Sequence, residues 1–160
     1  MLFLNTVIML TKISFEKAKL WVDSNGILNC KHFNRDINWK LNEKEAEKYI
    51  LAVLTLAANE IRPIIFDFRD VRGTYTILAA RLIAKDPSVN KIIISEAFVV
   101  NSMAVRLLIN AYKRIYEPSI PFKIFSNIKD AQEYSFNQLE LASGCIKKNK
   151  YDVESPNLIL

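Results

Sequence analysis

Polar and apolar residues alternate near the start of the chain in a pattern that predicts a β-hairpin. Residues 17–23 alternate with a period of two, which is typical of a half-buried strand. Asn25-Gly26 follows, and this dipeptide is the strongest short hairpin signal because both positions tolerate a positive φ. Residues 27–33 form the returning strand, and residues 37–39 would be a short third strand.

The rest of the chain alternates between buried strands and amphipathic helices. Nearly continuous apolar runs, typical of strands covered on both faces, occur at 63–68, 91–96 and 121–125. Helical periods of three and four residues occur at 42–59, 76–85, 102–116 and 126–141. Asn42 with Glu45 three residues later is a capping-box pattern that starts the first helix. This order predicts an α/β domain with a mixed, mainly parallel sheet of four to five strands, an N-terminal hairpin and about four helices.

The sequence divides into a leader at 1–13, one domain at 14–141 and a polar tail at 142–160. The leader is apolar but has neither the basic region nor the cleavage site of a signal peptide. Three interpretations compete: an ordered extra strand, a disordered leader, or a mis-assigned start with Met9 as the true initiator. We favour the last two together. The apolar residues 157–160 would dock on the domain or on a partner.

Composition favours a single globular domain in the cytoplasm. The 160 residues are 51% hydrophobic and 24% charged, and the net charge of +5 is modest. Lys and Arg are scattered, with the densest run at 147–150, so we expect no nucleic-acid binding. No apolar run approaches the length of about 18 residues that membrane insertion needs. Cys30 and Cys145 lack CxxC partners, and this favours a reduced, cytoplasmic setting.

The stretch from Arg62 to Gly73 carries the candidate site. A buried strand ends there in charged residues and a glycine, and a helix pattern starts near Thr74. Such junctions often form backbone-lined sites. A solvated loop with a turn glycine is the alternative, and we prefer it. Residues 95–98 are expected to form a loop at the same edge of the sheet. The candidate anion- or ligand-binding residues are Asp67, Arg69, Arg72, Gly73, Ser95 and Phe98.

The residues show no catalytic or metal-binding motif, so we expect no catalytic residue, no metal and no cofactor. His32 is the single histidine and lies in a predicted strand without ligand-type neighbours, where partial exposure is expected. Asp67 and Asp70 would suit Mg²⁺ only with a further partner, and pairing with nearby arginines is favoured. Trp21 on the outer face of the hairpin would mark a homodimer or partner surface, or would pack under the leader or tail.

Three stretches carry a family resemblance: residues 18–28, residues 64–71, and residues 121–126 followed by Ala131. They resemble the STAS-like domains, the fold of bacterial anti-sigma-factor antagonists and of the cytoplasmic tails of sulphate transporters. The likeness covers about 18–139 and is greatest to small stand-alone bacterial STAS-like proteins of unknown function. It implies a STAS-like fold.

In the antagonist branch, a phosphorylated Ser lies nine residues after a strand-ending Asp, and Thr76 has that position relative to Asp67. Thr74 is its near neighbour. The chain departs from the family pattern at Tyr75, Ile77 and Leu78, where the family has an acid, a second Ser and a Gly. Thr76 and Thr74 are therefore regulatory phosphosite candidates by resemblance. Helix N-capping is the alternative role for these hydroxyls, and we favour it.

The resemblance implies a non-enzymatic regulatory module of the bacterial cytoplasm that acts through an unidentified protein partner, with partner-switching signalling as one such role. A small-ligand carrier or sensor is the alternative, and it predicts an apolar pocket near Phe98 and Tyr75. An enzyme of unseen class is a further alternative.

Overall fold

The computed structural model describes the backbone of residues 11–152 and the side chains of residues 11–144. The strands are β1 (Lys12–Ser14), β2 (Ala18–Val22), β3 (Leu28–Asn34), β4 (Lys40–Leu41), β5 (Arg62–Val71), β6 (Thr74–Tyr75), β7 (Ile93–Val99) and β8 (Phe122–Phe125). The helices are α1 (Glu43–Ala57), α2 (Ile77–Lys85), α3 (Pro87–Ile92), α4 (Met103–Tyr116) and α5 (Ile128–Asp152). The interpretations of residues 1–10 and 157–160 concern segments outside the described residues.

The main sheet has six strands in the order β1-β2-β3-β5-β7-β8. The four strands from β3 to β8 run parallel, whereas β1 and β2 pair antiparallel at one side. The α/β class, the mainly parallel sheet and the N-terminal hairpin are therefore confirmed. The sixth strand is β1, which starts at Lys12, inside the segment assigned to the leader, and pairs Lys12 with Trp21 of β2.

Helices cover both faces of this sheet. On one face, α1 packs over β2, β3 and β5, and α4 packs against β7 through Ile109, Phe98 and Val100. On the other face, Ala131 of α5 packs against Ile65 and neighbouring apolar residues. Because successive strand residues point to opposite faces, each central strand serves both layers, which explains its continuous apolar run.

Side-chain caps begin α1 and α2 at the positions that the sequence predicted. The Asn42 side chain accepts a hydrogen bond from the Glu45 N–H at 3.0 Å, and Thr76 accepts one from Ala79 at 3.1 Å. The sequence pattern missed α3. Asp86 ends α2 and also caps α3 through the N–H groups of Ser88 and Val89. A Pro at the first position of a helix is favourable, so Pro87 starts a helix as well as ending one.

Three predicted boundaries were wrong. The short third strand is at 40–41, not 37–39, and it pairs with β6 in a separate two-stranded sheet. Residues 95–98 are not a loop, because β7 continues to Val99 between β5 and β8. Helix α5 continues to Asp152 rather than ending near 141. For β7 and α5, strand pairing and helix propagation continue beyond the residues whose polarity suggested an end.

Candidate functional site

A cavity of about 200 Å³ lies between the sheet and helices α1, α2 and α4. Its wall is almost wholly apolar and contains side chains from β3, β5 and β7 below and from the three helices above. Aromatic rings are prominent: Phe66 and Phe98 stack at 5.2 Å between ring centroids, and Phe68 lies 5.8 Å from Phe98. The other aromatic side chains of the wall are those of His32, Trp39, Tyr49, Tyr75 and Tyr112.

The strand–helix junction around Gly73 forms one side of this cavity. Arg72, Gly73 and Thr74 line both the cavity and an adjoining open groove, which also contains Arg69 and Ser102. Among the salt bridges of residues 11–144, none involves Arg72. The candidate residues Phe98, Arg72, Gly73 and Thr74 therefore meet at one cavity, although Phe98 reaches it from inside β7 and not from a loop.

Buried Asn34 holds the turn at Gly73. Its side-chain amide nitrogen donates to the backbone carbonyl oxygens of Arg72 and Asp36, at 2.8 and 2.9 Å. The backbone carbonyl of Asn34 accepts a hydrogen bond from the Arg72 N–H at 2.7 Å. Gly73 has φ +94°, a left-handed conformation that side chains rarely adopt. The Thr74 N–H then donates to Trp39, which joins β6 to the β4 side of the cavity.

Asp67 and Arg69 pair with each other, and neither residue lines the cavity. The Arg69 guanidinium donates to both Asp67 oxygens, at 2.9 and 2.7 Å, and the Arg69 N–H adds a third bond. Burial raises the pKa of Asp67, but these hydrogen bonds outweigh it and leave the pKa below its usual value. Asp70 pairs with Lys31 at 3.5 Å. Asp67 thus pairs with a nearby arginine, as the sequence favoured, whereas Asp70 pairs with a lysine of β3 instead.

Ser95 lies on the other face of the sheet. It is fully buried and shares the alternation of Ala97 and Val99, which pack against Ala131 of α5. It lines neither the cavity nor the groove. Ser95 therefore does not belong to this cavity, because the strand that continues through it turns its side chain away.

The Thr76 hydroxyl is engaged on both sides. It caps α2 and lies 3.3 Å from Glu43 Oε2, to which it donates. The carboxylate of Glu43 next to it would repel a phosphate, so the geometry favours the capping role. Phosphorylation of Thr76 or of its neighbour Thr74 stays a prediction.

The sequence analysis missed a buried ion pair, Glu96 on β7 with Lys113 on α4. Both residues are more than nine-tenths buried, and Glu96 lies in the cavity wall. Burial raises the pKa of Glu96, and the nearby Lys113 ammonium opposes this without cancelling it. A signal was present for Glu96, which shares the strand alternation of Phe98, but not for Lys113, which is followed by a second basic residue, Arg114.

His32 is another wall residue whose role the sequence left open. Its ring makes edge contacts with Tyr49 and Phe68, both at 5.1 Å between centroids, and its Nε2 lies 3.1 Å from the Cys30 sulfur. Burial lowers the pKa of His32 to about 4 and raises that of the Cys30 thiol. Both side chains are therefore neutral parts of an apolar wall near neutral pH. The side chain of Cys145 lies outside the described residues.

We expect His32 to make the protein less stable in mild acid. Between pH 6.5 and 4 the unfolded chain binds a proton at this histidine and the folded chain does not, so stability falls as the pH falls. Relative to His32→Phe, which keeps a ring, the wild type should lose about 2 to 3 kcal/mol across this window. Urea unfolding at several pH values would measure this difference. Parallel pH curves for the two proteins would contradict it.

In the described part of the chain, no three His, Cys, Asp or Glu residues are grouped as a metal ion would need. None of the helices within residues 11–152 has the length and apolar character needed to cross a membrane.

Comparisons with known proteins identify the fold and the family. An uncharacterized protein of the DUF3478 family from Shewanella loihica PV-4, which has a SpoIIAA-like fold, is similar in structure with a TM-score of 0.53. The two share 15% identity over 74% of this chain and 91% of that one, so the likeness shows the fold and confirms the STAS-like resemblance. No curated protein matches the sequence. The model for Domain of unknown function (DUF7793) matches residues 20–137, and the chain therefore belongs to that family.

Proposed function

We propose that this domain is a non-enzymatic binding module whose cavity holds one small, mainly apolar molecule. The observation that carries the proposal is the cavity of about 200 Å³ within the helix–sheet layer. Protein interiors are normally packed with few voids larger than a water molecule. A cavity of this volume with an apolar wall is large enough to admit a small apolar molecule.

The size and polarity of the wall define the ligand class. An engineered cavity of about 150 Å³ admits benzene, so this cavity suits a molecule of about the size of naphthalene. Phe98 and Tyr75, next to which the sequence predicted an apolar pocket, both line it. The few polar groups in an apolar wall are the usual composition of small-molecule sites.

The regulatory interpretation stays a prediction beside this one. A protein partner, a homodimer, signalling by partner switching and the bacterial cytoplasmic setting are expectations drawn from the sequence. Ligand binding is compatible with a regulatory role, because a molecule that binds only the folded state shifts the stability of the domain.

Naphthalene should bind the protein and raise its free energy of unfolding. At a ligand concentration of ten times Kd, the increase should be about 1.4 kcal/mol. Ala80 is buried on α2 and lines the cavity, so Ala80→Leu would place extra carbon atoms there and abolish this response. Thermal unfolding with and without naphthalene is the measurement.

Ala104→Leu is the matched control. It makes the same side-chain change on α4 at an exposed position outside the cavity and should keep the response to naphthalene. No response in the wild type, or an equal response in Ala80→Leu, would count against the proposed function.

A further inference from the structure

The buried Glu96–Lys113 pair is not explained by stability. Glu96 is 8% exposed and Lys113 is 7% exposed, so both charges are removed from water. Removing two ions from water costs several kcal/mol each, and apolar replacements of such pairs are often neutral or stabilising. Glu96 lies in the cavity wall, so we considered the pair as part of the ligand-binding site.

Lys113 engages only one of the two oxygens of the Glu96 carboxylate. The Lys113 ammonium bonds Glu96 Oε2 and lies over the rings of Phe122 and Phe98, at 4.7 and 5.2 Å from their centroids. Within the described residues no group donates a hydrogen bond to Glu96 Oε1. This oxygen is not among the fully enclosed polar atoms that lack a partner, so it keeps surface that a ligand can reach. Among the residues whose side chains the structure describes, Glu96 is the one acidic residue of the cavity wall. A strong acceptor in an apolar wall thus lacks a donor, an arrangement that favours a ligand able to supply one.

We infer that the ligand of this cavity carries a neutral hydrogen-bond donor, such as a hydroxyl group, that donates to Glu96 Oε1. This inference rests on the proposed function and specifies its ligand. The charge of the site distinguishes three classes of polar group that the ligand could carry: a carboxylate, a protonated amine and a hydroxyl. The ion pair is neutral as a whole, so a ligand carboxylate would meet Glu96 as a like charge, and a protonated amine would add an unbalanced charge near Lys113. A hydroxyl adds neither charge.

Three probes of one shape test the inference: naphthalene, 2-naphthol and 2-naphthoate, each titrated by calorimetry near neutral pH. We expect 2-naphthol to bind about tenfold or more tightly than naphthalene, as a hydrogen bond to a charged group predicts. 2-Naphthoate should bind least well. Equal binding of naphthol and naphthalene would overturn this inference and leave the proposed function intact, whereas no binding by any probe would contradict the proposed function itself.

Two variants assign the acceptor. The double variant Glu96→Leu, Lys113→Met removes both charges together and should keep naphthalene binding while losing the preference for naphthol. Tyr112→Phe removes a phenolic hydroxyl of the wall that lies near Glu96, and it should keep the preference. Loss in Tyr112→Phe with retention in the double variant would overturn the assignment to Glu96.

The third probe tests recognition by Arg72 instead, which lines the cavity and forms no salt bridge within residues 11–144. Tightest binding of naphthoate would overturn the inference in favour of an anionic ligand. The wild-type series decides the inference even where the double variant does not fold.

Discussion

Replacing Lys113 by Met should lower the free energy of unfolding by about 3 to 5 kcal/mol, the largest effect of any single change considered. The substitution keeps an unbranched side chain but leaves the Glu96 carboxylate buried without its counter-charge. The carboxylate must then take up a proton or pull water into an apolar wall. Because protonation relieves the cost, the loss should shrink as the pH falls. Urea unfolding near neutral and acidic pH would measure both effects.

Two controls separate charge from packing. Lys44→Met makes the same exchange at an exposed position of α1 and should change stability by no more than about 0.5 kcal/mol. The double variant Glu96→Leu, Lys113→Met should recover most of the lost stability, because no buried charge remains. If the double variant is as unstable as Lys113→Met, packing around Lys113 and not the charge is responsible.

Replacing Gly73 by Ala should destabilise the protein by about 3 kcal/mol or more and weaken naphthalene binding. The residue has φ +94°, which costs a side-chain-bearing residue about 1 to 2 kcal/mol. The added Cβ would also lie 2.4 Å from the Trp39 carbonyl oxygen. That oxygen accepts the Thr74 N–H at 3.1 Å, so it cannot move away without breaking the link to β6. Gly73 and Trp39 both line the cavity, so the shape of the cavity depends on this turn.

Gly144→Ala is the matched control. Gly144 lies inside α5, and a Cβ built there has no heavy atom within 4 Å. Alanine is the better helix former, so this variant should be stabilised by about 0.5 to 1 kcal/mol. Chemical unfolding and naphthalene titration of the two variants provide the comparison. An unchanged Gly73→Ala protein would contradict the close approach of the turn to Trp39.

The parts of the fold that were predictable depend on neighbouring residues. The hairpin turn at Asn25-Gly26, the cap at Asn42 and the helix start at Thr76 each follow from local chemistry, and the structure confirms them. The prediction of a loop at 95–98 was wrong. A serine and a glutamate are typical of the surface, and their burial follows only from the position of the strand in the middle of the sheet. Similarly, Pro87 looked only like a helix breaker.

The candidate site was half predictable for a related reason. Arg72, Gly73 and Phe98 were chosen because strand ends in parallel sheets meet at one edge, and all three line the cavity. Asp67 and Ser95 share the same strands but point to the other face or to a neighbouring arginine. The sequence pattern assigns a residue to a strand, but it does not identify the side chains that the residue will contact in the folded protein.

By itself the sequence determined the order of the hairpin, the buried strands and the four long helices, because hydrophobic period, caps and glycine conformations act over a few residues. Only the tertiary structure decided that the helices stand off the sheet around a cavity, and that Glu96 finds Lys113 there. Those two residues lie on different elements, 17 positions apart, and their meeting depends on how α4 is rotated over β7. That rotation is set by the packing of the whole helix layer, which no local pattern records.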